Sequence, residues 1–396
     1  MTRTRRELLA ASLVPLAGCQ APTERSPGEP LRPSSADHRV GFVGDLMFGR
    51  DVDAVHRDGS PADVWGSMHE HLQSLDGVVA NLECCVSERG ERWPDKTFYF
   101  RADPDWAVPA LDAGNVAAVS LANNHLLDFG ETALLDTLDH LSAGGIAHAG
   151  AGADVDAALE PTVVDAGGLR VGVLGLTDQW SQFGAGPDSP GTAHVALSAD
   201  DEATRRAVRN GVATARERGA DLVVASLHWG PNWEVEPSTD QQRFARWLID
   251  EGVDVVHGHS AHVIQGVETY RGRPIIYDAG DFVDDYAIKE GLHNDRSFLF
   301  ELAVDGSELT ALELRPIEIA DRRSERAGDD AAAWLRERMR TLSAPFGTTV
   351  ERSGRGVRIP LGDAEGEESA SGSESGTNES ASGNRTGTNE GDRDGA

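Results

Sequence analysis

Asp45, Glu83, Asn124, His125, His228, His257, His259 and His262 can all bind cations or move protons, and each stands at or just beyond the end of a short apolar run. Carboxylate, carboxamide and imidazole donors without thiolate suit borderline divalent metals such as Mn, Fe or Zn. A single histidine is more often a hydrogen-bonded structural residue, but several on successive run ends argue for a metal site of one or two ions. Glu83, alone on its run end, is the natural bridge between two cations. Two metals about 3.5–4 Å apart can clamp the attacking and leaving oxygens of a phosphoryl displacement and acidify a bound water. His125 could then protonate a leaving alkoxide, because imidazole titrates near neutrality. Cys84 and Cys85 are adjacent and poorly placed to pair with each other, so they read as a buried wall beside Glu83.

The positioning elements can be read from the same runs. Val40–Val43, Gly77–Ala80, Val116–Leu121, Val171–Leu176, Leu222–Leu227, Val253–Val256 and Pro274–Tyr277 are apolar stretches of the length expected for strands buried on both faces. Helical patterns over Glu131–Ala143, Ala203–Arg218 and Gln241–Glu251 lie between them, the last stopped by Gly252. This alternation predicts α/β layers, with functional groups gathered at the carboxyl ends of the strands. If the strands share one sheet, their ends converge on one rim. Ser297–Val304 and Leu309–Pro316 predict a closing hairpin around Asp305-Gly306, and Asp329–Leu342 a terminal helix.

Taken in order, Gly44-Asp45, Asn81-Leu82-Glu83, Asn123-Asn124-His125-Leu126-Leu127-Asp128-Phe129-Gly130, His228-Trp229-Gly230, Gly258-His259-Ser260-Ala261-His262 and Tyr277-Asp278-Ala279-Gly280-Asp281-Phe282 resemble the successive motifs of the CapA family of poly-γ-glutamate capsule proteins. The resemblance runs from about Arg39 to Tyr286. It implies a fold like that of the calcineurin-like metallophosphatases, a single-domain, four-layer α/β sandwich with a dinuclear metal centre. It implies Asp45, Glu83, Asn124, His228, His259 and His262 as metal ligands and His125 with Asp128 as catalytic residues. Lys96 and Arg101 resemble a further CapA segment and are candidates to bind an anionic substrate, either a polyglutamate carboxylate or a phosphate. Their alternative is a plain surface strand. Trp229 and Trp233 could flank the site. The sequence departs from the pattern in two places. Met47 stands where the phosphatases' first motif has histidine, and Asn232 stands where many CapA relatives carry glutamate, for which Glu234 or Glu236 could substitute.

The ends of the chain read differently. Residues 1–19 combine Arg3, Arg5 and Arg6 with the apolar run Leu8–Leu16 and finish in Leu16-Ala17-Gly18-Cys19, a twin-arginine and lipobox pattern with Cys19 as the lipidated residue. Residues 20–37 read as a tether, residues 38–361 as the domain and residues 362–396 as a disordered acidic tail. The formal charge of −30 is extreme, and only nine acidic and two basic residues of it lie in the tail. With two lysines against 34 arginines, this acidity suits a halophile's protein and argues against nucleic acid as a partner. The expected function is that of an exported, membrane-anchored protein in synthesis, export or anchoring of a capsule polymer, with a capsule synthase complex as the implied partner. A metal-dependent phosphoesterase and a non-catalytic polymer-binding lipoprotein are the alternatives.

Overall fold

Each apolar run forms or leads into a strand in the computed structural model, which describes residues 36–362. The chain first lays down β1 (His38–Leu46), β2 (Gly77–Leu82), β3 (Val116–Ser120) and β4 (Ala147–Ala149) as parallel neighbours in that order. It then builds a second sheet from β5 (Thr162–Ala166), β6 (Leu169–Thr177), β7 (Leu222–His228), β8 (Val255–His259), β9 (Val267–Tyr270) and β10 (Arg273–Ile276), in spatial order β9-β10-β8-β7-β6-β5. The short strand β11 (Asp281–Val283) returns to the first sheet and runs parallel to the end of β1. The hairpin of β12 (Arg296–Asp305) and β13 (Glu308–Ala320) turns through Gly306, whose φ is 58°, and pairs antiparallel with the start of β1. Strands β14 (Arg323–Arg326), β15 (Glu351–Ser353) and β16 (Gly356–Pro360) complete this ten-stranded sheet.

The functional strands therefore belong to two sheets, which corrects the single-rim expectation. Alternation along each strand explains the stacking. Val40, Phe42 and Val79 of the first sheet share one core with Val171, Val173, Leu222, Val224 and Val255 of the second. Val43, Val78, Ala80 and Val119 face the other way, into a core shared with α1 (Arg50–His56), α2 (Pro104–Ala113) and α3 (Gly130–Ala143). Leu174, Val223, Ala225 and Val256 face outward from the second sheet, against α4 (Glu202–Glu217) and α5 (Thr239–Asp250). The result is helices, sheet, sheet, helices: a four-layer α/β sandwich. A run buried on both faces looks the same in either sheet, so apolar pattern alone could not assign it.

Local signals set the helix ends. Asp201 caps α4 by accepting from Thr204 N, and Ser238 with Gln241 forms a capping box at the start of α5. Gly252, with φ of 100°, follows the end of α5. The terminal helix α6 (Asp329–Ser343) packs Ala331, Leu335 and Met339 into the core between the sheets. Among the described residues no helix is long and apolar enough to cross a membrane. The signal segment with Cys19, the tether up to residue 35 and the tail beyond Gly362 lie outside the described residues.

Candidate metal centre

Glycine brings the ligand-bearing strands close. A Cβ on Gly44 would stand 1.7 Å from Gly280 O, and one on Gly258 would stand 2.0 Å from Tyr277 O. Side chains at these positions would push the neighbouring backbones apart. Their absence lets Asp45 N donate to Gly280 O at 3.0 Å and Ala279 N donate to Gly258 O at 2.9 Å. The residue after each glycine, Asp45 or His259, then enters the space between the two sheet ends. The loop after β8 is held in unusual backbone, with Ser260 at φ 112° and His262 at φ 57°. Asp278 secures that loop by accepting from Ala261 N and Gly280 N, each at 2.8 Å.

Two donor groups meet there. Asp45, His228 and His259 form one, and Asp45, Glu83 and His262 form the other, with the donor atoms of each within 4.8 Å of one another. Asp45 Oδ1 accepts from Asn81 Nδ2 at 2.7 Å and Oδ2 from Ser260 N at 3.3 Å. His228 Nε2 lies 3.0 Å from Asn124 Oδ1, and its Nδ1 lies 3.0 Å from His259 Nδ1. Ser226 Oγ sits 2.9 Å from His259 Nε2. His262 Nδ1 lies 2.8 Å from Asp281 Oδ1 and 3.3 Å from Asp45 Oδ2.

Burial dominates the electrostatics. It pushes His228 down to about 3 and His259 well below the usual imidazole range, so both stay neutral and free to donate lone pairs. Burial would raise the Asp45 carboxyl, but the His262 hydrogen bond and the charges of His259, His262 and His228 hold it below its ordinary value. Glu83 is pushed well above its ordinary value, first by burial and then by Asp45. His262 is held high despite burial, by Asp281 and Glu83. Both Glu83 oxygens are buried and accept no hydrogen bond, with Nε2 of His228 and of His125 standing 3.7 and 3.8 Å from Oε1. That is the signature expected of residues built around cations, because an unpaired buried carboxylate is otherwise expensive. The donors therefore fit divalent metal.

His125 stands beside this centre. Its Nδ1 lies 2.7 Å from Asp128 Oδ2, while Nε2 faces Glu83 Oε1 at 3.8 Å. Asp128 also accepts from Phe100 N at 2.7 Å and pairs with Lys96 Nζ at 2.5 Å. Burial lowers the His125 pKa, against the pull of Asp128. A cleft of about 560 Å³ opens over His125 and Asn124. Its walls carry Trp180, Trp233, Phe98 and Tyr286, and its cations are Arg50, Lys96 and Lys289, against the single carboxylate of Asp95. Both lysines of this acidic chain thus lie at one opening.

The sequence matches the family described as bacterial capsule synthesis protein PGA_cap over residues 39–286. This chain belongs to that family. The probable polyglutamine synthesis accessory protein of Mycobacterium tuberculosis is 36% identical over 307 residues, covering 72% of this chain and 78% of its relative. The PGA biosynthesis protein CapA of Bacillus subtilis is 30% identical over 247 residues, covering 62% of each chain. The capsule biosynthesis protein CapA of Bacillus anthracis is 29% identical over 282 residues, with 70% and 66% covered. Among solved structures, TT1561 of Thermus thermophilus is similar at a TM-score of 0.40 and 10% identity, covering 72% of this chain and 99% of that one.

In this PGA_cap chain the structure brings Asp45, Glu83, Asn124, His228, His259 and His262 together, with His125, Asp128 and Lys96 beside them. It separates several others from the site. Arg101 lays its guanidinium over the Phe129 ring, 4.0 Å from the centroid, and is not among the residues lining the cleft. Lys96 reaches the cleft, but its charge is engaged by Asp128. Met47 is buried in the apolar core with Phe48 and Val52, away from the donors. His257 packs against Phe42 and lies outside both donor groups. Trp229 is a core residue whose Nε1 donates to Tyr277 O at 2.9 Å, whereas Trp233 flanks the cleft as expected. Glu234 and Glu236 are exposed and belong to neither donor group. Cys84 and Cys85 are buried free thiols. Sequence reasoning missed Arg50, Lys289, Tyr286 and Asp281 as site neighbours. The scarcity of lysine was the one available signal for Lys289.

Proposed function

We propose that this protein acts outside the cell membrane, held there by a lipidated Cys19, in synthesis, export or anchoring of poly-γ-glutamate or a similar anionic capsule polymer. The observation that carries this reading is the family match over residues 39–286, which contains every residue of the two donor groups. The cleft supports it: Lys289 supplies positive charge, Arg50 adds a guanidinium that is paired with Asp285 at 3.2 Å, and aromatic rings line the walls. Lys289 Nζ stands 4.4 Å from the Trp233 ring centre, and Arg50 packs 5.0 Å over Phe100. Mn, Fe or Zn is the cation class the donors suit. Deleting the gene should reduce surface polymer; unchanged polymer would count against the reading. In solution, polyglutamate oligomers should quench Trp233 fluorescence, and Lys289→Glu should weaken that binding by roughly tenfold, the scale of one charge-assisted contact.

A second reading, a metal-dependent phosphoesterase, is favoured by the His125–Asp128 pair beside the donors. When bound, divalent cations there would supply Lewis-acid polarisation and a more acidic water. His125, oriented through Nδ1 by Asp128, presents Nε2 to the reacting group and delivers a proton to the leaving oxygen. Protein purified in high salt with Mn²⁺ should hydrolyse a generic phosphoester, and His125→Ala should lower the rate by about 10²–10⁴-fold. An absence of turnover with every divalent metal would point to polymer binding without chemistry. Elemental analysis then shows whether the protein carries metal at all.

A further inference from the structure

The acidic side of the centre holds more carboxylate than its donor groups use. Asp281 on β11 is the register partner of Asp45 on β1, so two carboxylates lie side by side on adjacent parallel strands. His262 Nδ1 faces both, at 2.8 Å from Asp281 Oδ1 and 3.3 Å from Asp45 Oδ2. A single imidazole nitrogen aimed at two carboxylates marks the point where a cation would replace its proton. Asp281 is only 1% exposed; no N–H or O–H donor reaches its Oδ2, and a second buried carboxyl, Asp284, packs against it. Both Glu83 oxygens across the site likewise accept no hydrogen bond.

The group of Asp45, Glu83 and His262 offers three protein donors, fewer than the full coordination shell of a divalent cation. Met47, two residues past Asp45, contributes none because it is turned into the apolar core. We propose that Asp281 is the fourth protein ligand of this subsite, filling the place that Met47 leaves. The resulting set of three carboxylates and one imidazole is harder than the neighbouring set containing His228 and His259. It suits Mn²⁺ or Mg²⁺, while the histidine-rich subsite suits Zn²⁺ or Fe²⁺. The inference rests on the reading of this site as a metal centre.

The competing role for Asp281 is to orient His262 by accepting from Nδ1. Asp281→Asn separates the two, because the amide keeps an acceptor oxygen but loses the charge. Full-length protein would be stripped with chelator and titrated with Mn²⁺ by calorimetry, with bound ions counted by elemental analysis. Asp281→Asn and Asp281→Ala should each bind one ion fewer than the parent, or bind it more than about 100-fold more weakly, beyond the loss typical of a residue that only orients a ligand. His259→Ala should remove the other ion. The metal-free Asp281→Asn protein should melt no lower than the parent, which guards against reading unfolding as metal loss. Unchanged stoichiometry and affinity in Asp281→Asn would overturn the assignment while leaving the metal centre standing. A parent protein that binds no Mn²⁺ would overturn both.

Discussion

At the scale of single residues, Glu83 is the most informative side chain. It is fully buried, lies 3.7 Å from His228 Nε2 and 3.8 Å from His125 Nε2, and has no hydrogen-bond partner for either oxygen. Burial and the nearby Asp45 raise its pKa well above the ordinary value. A carboxyl whose folded pKa is raised destabilises the folded state once pH exceeds its unfolded value. Removing the charge therefore has opposite effects with and without metal. Metal-free Glu83→Gln should melt at or above the parent at pH 7. Saturating Mn²⁺ should raise the parent's stability by about 2.7 kcal/mol at a hundredfold excess over its dissociation constant, and the variant's by much less. Paired melting curves with and without chelator provide the check.

At the scale of elements, the position of β1 decides the site, because β2, β11 and β12 all pair with it. Its register against β12 is pinned by Glu301, the partner of Gly41. Glu301 is buried, yet it pairs with Arg39 on β1, with Arg315 Nε on β13 at 2.8 Å and with His71 Nε2 at 2.5 Å. Burial alone would raise its pKa, but the His71 and Arg315 contacts bring it down to about 2. With the folded pKa depressed from 4.5, the stabilisation is present above pH 4.5 and is lost as pH falls through 2. Glu301→Gln should cost about 3 kcal/mol at pH 7. The gap to the parent in urea unfolding should shrink as pH is lowered from 4.5 toward 2.

At the scale of the whole molecule, a net charge of −30 sets the solution behaviour. Ion pairs such as Arg209–Glu251 and Arg216–Asp254 relieve the repulsion locally, but 66 acidic residues against 36 basic ones leave a large excess of carboxylate. The screening length falls from about 10 Å at 0.1 M salt to about 3 Å at 1 M, so like-charge repulsion fades where short pairs persist. Thermal denaturation between 0.1 M and 2 M KCl should show a rising melting temperature. A melting temperature that is flat or falls with salt would show that the acidic surface does not limit stability. Against this background the cleft stands out for gathering Arg50, Lys96 and Lys289 at one opening, with Lys96 paired to Asp128 and Arg50 to Asp285.

The amino-acid sequence by itself determined which residues could bind metal and which runs would form buried strands. Both properties are local: donor chemistry belongs to side chains, and apolar length and helix caps act within a few residues. Glycines 44 and 258 were legible as parts of motifs, although their purpose is the close approach of Gly280 and Tyr277 backbones distant in sequence. Tertiary structure alone decided that the strands divide between two sheets and that the ligands meet between them. It also decided the fate of Met47. Met47 lies just past the end of β1 at Leu46, and its side chain joins the apolar core instead of the donors beside Asp45. The pairing of β1 with β11 brings Asp281 beside Asp45, and the start of the helix Arg50–His56 and the loop carrying Lys289 bring charge to the cleft. These outcomes depend on which segments become neighbours, and no sequence window short enough to show a periodicity contains them.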